Sequence, residues 1–305
     1  MSTKMNRRTF SHLATGGLAA AVAGRPDVSF AAELATLNVG ATRVSVLSDG
    51  HFDIPPAFFT GASDEALAAV GSPIEIGANV WLVQVGARRV LIDAGSGQAL
   101  AAMFPTVGKL DMLLAAEGLN KGDIDDIVLT HMHADHIGGL MGPDANGFTS
   151  ARIHVAAAEW AFWTNPDLAS LVPDDQKPLV ELVQAIAAPL ADRVVTHDGE
   201  ADLGDGLTLV PLPGHTAGHS GVRISSGDNE LLIVADAIIS QELQLADPSI
   251  SYALDSDPDL ARTTREALLA ELSATSGLFA STHFAYPGIG RVARAGDGYG
   301  FQPME

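Results

Sequence analysis

The 305-residue sequence contains no cysteine, which excludes disulfides and any thiolate metal ligand. The absence leaves the compartment open, because a chain without thiols suits either redox environment. Positive charge is also scarce. Seventeen Lys and Arg stand against 37 Asp and Glu, a formal net charge of −20, and such a chain repels phosphate backbones and anionic lipid surfaces. Neither a nucleic-acid substrate nor stable membrane association is expected. The weakly apolar run from Leu13 to Gly24 is too short and too rich in Gly and Ala to span a bilayer, which needs about 20 apolar residues. What is present is a globular composition, 47% apolar and 18% charged, with a length that fits one large domain or two small ones.

The most informative stretch is Thr130-His131-Met132-His133-Ala134-Asp135-His136-Ile137-Gly138-Gly139-Leu140. Its imidazoles and carboxylate follow directly on the apolar run Ile127-Val128-Leu129, so a buried strand ends by presenting metal ligands. If the chain leaves that strand still extended, His131 and His133 point the same way and share one cation. Asp135 and His136 come after the turn into a helix and face a second cation. Gly138 and Gly139 let that helix start close to the metals. A lone histidine would be read as solvated or hydrogen-bonded. Four ligand-type side chains behind one strand point to a metal centre.

The HxHxDH pattern followed by two glycines resembles the metallo-β-lactamase superfamily of hydrolases. The resemblance implies an α+β fold, an αβ/βα sandwich of two mixed β-sheets flanked by helices, and three further ligands. In Leu212-Pro213-Gly214-His215-Thr216-Ala217-Gly218-His219, the first histidine of the superfamily's GHTxGH pattern is His215, which joins His131 and His133. The match of His219 is not usually a ligand, so a supporting role is expected there. Leu231-Leu232-Ile233-Val234-Ala235 is an apolar strand ending in Asp236. An unpaired carboxylate would be costly to bury there, whereas one bridging two cations is satisfied on both oxygens. Phe279-Ala280-Ser281-Thr282 leads to His283, which the resemblance places with Asp135 and His136. Leu91-Ile92-Asp93-Ala94-Gly95 resembles the superfamily's first motif, so Asp93 either supports the metals from beneath or is a plain turn aspartate. Two divalent cations are implied, with Asp236 between them. Zinc suits the nitrogen and oxygen donors, and manganese, cobalt or iron would also fit.

At the N-terminus, Asn6-Arg7-Arg8-Thr9-Phe10 before the apolar run resembles a twin-arginine export signal. Ser29-Phe30-Ala31 offers small residues for cleavage after Ala31. The expectation is a signal peptide over 1–31, a mature hydrolase domain over 32–305 and a periplasmic enzyme; an N-terminal extension of a cytoplasmic enzyme is the alternative. Removing Lys4, Arg7, Arg8, Arg25 and Asp27 leaves the mature chain still more acidic.

Along the mature chain, strands are predicted at Thr42–Leu47, Val80–Val85, Arg89–Ile92, Asp125–Thr130, Arg152–Val155, Val194–Val195, Leu207–Leu212, Val222–Ser225 and Leu231–Val234. Helices are predicted over Lys109–Glu117, Ala156–Trp163 and Asp174–Pro189, the last capped by Asp174 or Asp175. The proline-rich, aromatic stretch His51–Phe59 reads as a connection, either packed or overhanging the site. Trp160 and Trp163 read as core or as a wall of the site.

Within the superfamily the chain is similar to methyl parathion hydrolase and its lactone- and aryl-ester-cleaving relatives. The residues behind this are Leu47-Ser48-Asp49-Gly50, Glu159 with Phe162-Trp163, Asp247-Pro248-Ser249, Leu254-Asp255-Ser256-Asp257, Phe284 to Gly290 and Gly298-Tyr299. Trp163 and Phe104 match two aromatic pocket positions of that family. A third falls near Leu179 and Val180, which are aliphatic, and this departure leaves lactones or aryl esters at least as fitting as phosphotriesters. Phe52 and Tyr252 join the substrate-binding candidates. The implied reaction is hydrolysis of a small neutral ester, lactone or organophosphotriester by a metal-bridging hydroxide, with Asp135 and Asp236 as catalytic carboxylates. Alternatives are an acyl-homoserine lactonase, a glyoxalase II-like thioesterase, a mono-iron persulfide dioxygenase and a non-catalytic metal-binding module. Relatives imply a homodimer.

Overall fold

The structure is a computed structural model that describes residues 34–141, 147–174 and 176–304. The expected signal peptide and its cleavage site lie outside the described residues. Two seven-stranded sheets face one another. The first runs in the order β1 (Leu34–Val39), β2 (Thr42–Ile54), β4 (Ile74–Val85), β5 (Arg88–Ile92), β6 (Asp126–Val128), β7 (Arg152–Ala156) and β8 (Val194–His197). The second runs β16 (Gly298–Pro303), β15 (Ile289–Ala295), β14 (Phe279–Ala280), β12 (Asn229–Ile233), β11 (Ser220–Ser226), β10 (Leu207–Pro211) and β9 (Ala201–Gly204). A short antiparallel pair, β3 (Phe59–Thr60) with β13 (Ser251–Tyr252), sits apart. Both large sheets are mixed: β5 through β8 pair in parallel, as do β12 and β14, and the other pairs are antiparallel. This is the metallo-β-lactamase sandwich expected from the sequence.

The strand sequences explain the layering. In β4 and β5, Trp81, Val83, Val90 and Ile92 point between the sheets and meet Leu209, Val222, Ile224 and Ile233 of the second sheet. Their neighbours Val80, Leu82 and Leu91 point the other way, onto helices carrying Leu110, Leu113, Val183 and Ile186. Alternation puts successive side chains on opposite faces, and because helices cover the outer face, both sets are apolar. The second sheet is covered by the long helix Pro258–Thr275 through Leu268, Leu269 and Leu272. Each fully buried aliphatic contributes about 1.5–3 kcal/mol, which is why these strands read as near-continuous hydrophobic runs.

Several local expectations are corrected. β2 does not stop at Leu47 but runs to Ile54, with a bulge between Ser48 and Gly50, so His51 to Ile54 is strand. Only Pro56–Phe58, a 3₁₀ turn, is the connection. Gly50 (φ +137) permits the bulge, since a Cβ there would lie 1.8 Å from the Thr106 carbonyl oxygen. The strand before the histidine motif is Asp126–Val128, shorter than predicted. The helix expected from Asp174 starts at Lys177, after Gln176, without a side-chain cap. Asp174 instead pairs with Lys177 Nζ at 2.5 Å, and Asp175 lies outside the described residues. The room made by Gly138 and Gly139 faces another partner than the metals. A Cβ on either would lie 2.1 Å from a carbonyl oxygen of the Ala94–Ser96 turn, so these glycines dock the histidine motif against the loop that carries Asp93.

Candidate metal centre

The ends of β6, β10, β12 and β14 converge on one side of the sandwich, and each delivers part of a buried cluster. After β6 the chain passes through Thr130 and places His131 and His133 beside one another, with His131 Nε2 3.2 Å from His133 Nδ1. The turn after β10 brings His215 Nε2 to 3.0 Å from the same His133 nitrogen. Asp236, on the turn after β12, lies 3.7 Å from His131 Nε2 and 3.3 Å from His215 Nε2 through Oδ2. The same oxygen is 3.0 Å from His283 Nε2, and Oδ1 is 3.3 Å from His136 Nε2. Asp135 Oδ2 completes a second group, 3.5 Å from His136 Nε2 and 3.6 Å from His283 Nε2. Two groups of donors, His131/His133/His215/Asp236 and Asp135/His136/His283, each lie within 4.8 Å of one another. All seven expected residues are thus brought together, with Asp236 reaching both groups.

The donor set fits cations. His136 Nε2 and Asp236 Oδ1 are buried without a hydrogen-bond partner, an expensive arrangement for polar atoms unless a metal satisfies them. Burial pulls the imidazoles of His131 and His133 down, aided by neighbouring imidazoles, His133 to about 3. Both are neutral donors, as ligands must be. Burial opposes protonation of His136, His215 and His283 as well, but Asp236 and other nearby carboxylates outweigh it and raise all three, His215 to about 9. Burial also pushes the Asp135 and Asp236 carboxyls up. The surrounding imidazoles overcome it, holding Asp135 at about 2 and Asp236 well below the usual carboxylate range. Seated cations would take the place of the protons on the raised imidazoles.

His136, His215 and His283 are each aimed by a partner on the far side of the ring, the arrangement that fixes ring orientation and tautomer. Asp93 Oδ2 accepts from His136 Nδ1 at 2.8 Å and from Thr130 Oγ1 at 2.8 Å, and Oδ1 accepts from the Thr130 amide. Asp93 holds a left-handed backbone, φ +61, a strained conformation typical of functional turns. Asp255 Oδ1 accepts from His215 Nδ1 at 2.9 Å, and the Gly77 carbonyl accepts from His283 Nδ1 at 2.7 Å. His219 donates Nδ1–H to the Leu212 carbonyl and accepts the Asp236 amide at Nε2. That dual role requires the neutral ring, and burial beside His215 keeps it so, down to about 3. Asp255 and Glu159 were visible in the sequence only as points of family likeness. A carboxylate inside the apolar run Ala156–Trp163 was the available signal for Glu159, whereas Asp255 stands among other polar residues and gave none.

A cavity of about 460 Å³ opens on the cluster. Its walls include Phe52, Ile54, Phe58, Ile76, Leu100, Phe104, Leu179, Tyr252 and Leu254, and its floor is His133, Asp135, Asp236, His215 and His283. No Lys or Arg lines it among the described residues. Phe52, Phe104 and Tyr252 stand where a substrate contact would be made. Trp163 does not. It lines a smaller side cavity behind His133, with its ring edge-on to that imidazole and its indole N–H donated to Glu159 at 2.7 Å. Val180 is likewise in the core, while Leu179 reaches the cavity.

The model of the metallo-beta-lactamase superfamily matches residues 74–283. The chain belongs to that superfamily. The chain spans about half the length of the curated relatives it matches first: it is 33% identical over 193 residues to the probable metallo-hydrolase Rv2300c of Mycobacterium tuberculosis, covering 52% of this chain and 56% of the relative. It is 27% identical over 195 residues to the probable metallo-hydrolase YflN of Bacillus subtilis, covering 60% of this chain and 69% of that one. Two solved structures cover more of it. The dizinc quorum-quenching lactonase AidC, in complex with the product N-hexanoyl-L-homoserine, superposes with a TM-score of 0.80 at 25% identity, over 90% of this chain and 98% of that one. The hydrolase AbOPH gives 0.82 at 25% identity, over 91% and 99%.

Proposed function

We propose that this superfamily member is a dinuclear metal-dependent hydrolase of small, neutral, apolar lactones or esters, with organophosphotriesters in the same range. The observation that carries the reading is the cavity. Apolar walls without any Lys or Arg among the described residues lead directly to a floor formed by five of the seven metal-type ligands, His133, Asp135, His215, Asp236 and His283. Apolar surface favours a hydrophobic substrate body, and the absence of cationic lining disfavours an anionic thiol carrier.

We assign His131, His133 and His215 to one cation, Asp135, His136 and His283 to the other, and Asp236 to the bridge. Divalent cations held by these residues would lower the pKa of water, so that a hydroxide nucleophile is available near neutral pH, and would polarise the carbonyl or phosphoryl oxygen. The protein does the rest. Asp135, partly open to the cavity, takes up the proton released on attack. Burial, then Asp135, Asp236 and Asp255 nearby, push the Tyr252 phenol up, so it stays protonated and donates to the substrate oxygen. Phe52, Phe58 and Phe104 exclude water from the apolar portion. The twin-arginine likeness of residues 1–31 supports a periplasmic mature enzyme, and the resemblance to superfamily relatives supports a homodimer.

Acyl-homoserine lactone hydrolysis is the second reading, favoured by the likeness to AidC. A match to a hydroxyacylglutathione hydrolase of Fuscovulum blasticum, 28% identical over 43% of this chain and 40% of that one, keeps thioesters in the test. Metal-loaded mature protein is assayed with dihydrocoumarin, an acyl-homoserine lactone, a thioester and a methyl phosphotriester, alongside metal analysis. Turnover of a lactone or ester with two metals bound is the expected result. Two bound metals without turnover of any of the four, or one iron with oxygen consumption on a persulfide, would overturn it.

A further inference from the structure

Glu159 has no part in the chemistry described above, yet it is wholly buried and reaches every segment that carries the His131/His133/His215 group. Its Oε1 accepts from the Met132 amide at 2.9 Å and from Trp163 Nε1 at 2.7 Å. Its Oε2 accepts from Thr216 Oγ1 at 2.7 Å and from the Gly218 amide at 2.8 Å. Met132 stands between His131 and His133, Thr216 follows His215, and the Trp163 ring packs against His133 with centroids 5.5 Å apart. The approach is close: a Cβ on Gly218 would lie 2.2 Å from the Glu159 amide nitrogen.

The other donor group hangs on different anchors. His136 is held by Asp93, which also takes the Thr130 amide and hydroxyl beside His131, and His283 is held by the Gly77 carbonyl. None of the four bonds to Glu159 reaches Asp135, His136 or His283. The segments that Glu159 joins come from different sheets, β6 in the first and β10 in the second. A backbone bond from the Ser220 amide to the Thr130 carbonyl, 2.9 Å, already ties them, but it leaves the imidazoles free to shift. Four bonds converging on one carboxylate fix where the ligand-bearing turns stand relative to each other. A carboxylate serves four donors because it accepts on both oxygens and donates on neither.

We propose that Glu159 is a positioning residue for the His131/His133/His215 half of the centre alone, setting the spacing at which three imidazoles meet one cation. The proposal rests on the metal assignment made above. It goes further in stating that the anchoring through Glu159 is one-sided, so that this half can be weakened while the other is kept.

The test is a Zn²⁺ titration of the metal-free protein, wild type against Glu159→Gln, followed by calorimetry and metal analysis. The glutamine side chain turns an N–H₂ group toward two donors and breaks the set. The wild type is expected to take two equivalents. The variant should keep one at unchanged affinity and lose about 10–100-fold on the other, with kcat falling, KM unchanged and activity returning as Zn²⁺ is raised. A double-mutant cycle locates the affected half. Glu159→Gln should remove the remaining tight binding from His283→Ala and add nothing to His215→Ala. Equal weakening of both equivalents, or weakening of neither, would overturn the proposal. Trp163→Phe and Thr216→Val each withdraw a single donor and should show the same one-sided loss, a few-fold each; they decide the matter if Glu159→Gln does not fold. A wild type that binds no Zn²⁺ would instead sink the metal assignment itself.

Discussion

In the metal cluster three of the histidines are held from behind by directed bonds, whereas the aromatic side chains of the cavity wall above it are held by packing. His136, His215 and His283 each give their remote nitrogen to a partner within 3 Å. Phe52 meets Phe104 edge-on at 5.4 Å between centroids, and Tyr252 lies at 5.3 Å from Phe59 and 5.7 Å from Phe58. Phe104 and Leu254 remain 42% and 37% exposed, so the mouth is the least constrained part of the site. Hydrogen bonds fix angle as well as distance; apolar contact fixes little beyond volume. The chemistry is therefore rigid and the selection of substrate is plastic. Substitutions should separate into those that move metal and kcat and those that move KM.

The sharpest break is Asp236→Ala. It withdraws the ligand that reaches both donor groups, and activity should fall about 10³-fold or more together with metal content. Full activity in that variant would remove Asp236 from the bridge. Next in size is the effect of pH on metal uptake. His215 has a folded value raised to about 9, so in the metal-free protein its contribution to stability is complete below about 6.5 and is lost as pH rises through 9. Metal affinity runs in the opposite sense. It should weaken by about tenfold per pH unit for each displaced proton on going down from pH 9, and calorimetry in two buffers of different ionisation enthalpy would count the protons released.

Tyr252 stands on the boundary between the two regions, since its amide is bound by Asp255, which also holds His215. Tyr252→Phe keeps the ring in the wall and removes only the hydroxyl. It should lower kcat by about tenfold with both metals retained, and a loss of metal would show that the wall and the cluster are not separable. The smallest effect is expected at the mouth. Phe104→Ala removes half-exposed apolar area worth about 1 kcal/mol, so KM for an apolar substrate should rise a few-fold at unchanged kcat and metal content. A change in kcat there would mean that the mouth gates the chemistry.

Most of the cluster was legible in the sequence because a metal site is a local chemical statement. His131, His133, Asp135 and His136 arrive within one turn, and His215, Asp236 and His283 each close an apolar strand, a pattern with no ordinary structural explanation in combination. Apolar periodicity likewise marked most of the strands. It misplaced their ends: β2 continues through His51 and Asp53 to Ile54 because a bulge at Gly50 restores the pairing with β4, and nothing in the composition of that stretch distinguishes an edge from a loop. The Asp174 cap failed for a similar reason, because Gln176 and Pro178 set the helix start.

The sequence alone determined which atoms could bind metal, since imidazole and carboxylate chemistry belongs to single residues and their short-range spacing. The tertiary structure decided which of them stand together and what surrounds them. It turned Trp163 away from the cavity and toward Glu159, made Asp255 the partner of His215 across 40 residues, and assembled the apolar wall from β2, β4, β13, the Pro56–Phe58 turn, the helices carrying Leu100 and Leu179, and the residues Phe104 and Leu254. Those relations depend on how the two sheets dock. Packing and desolvation are properties of the assembled interior, and no local pattern encodes them.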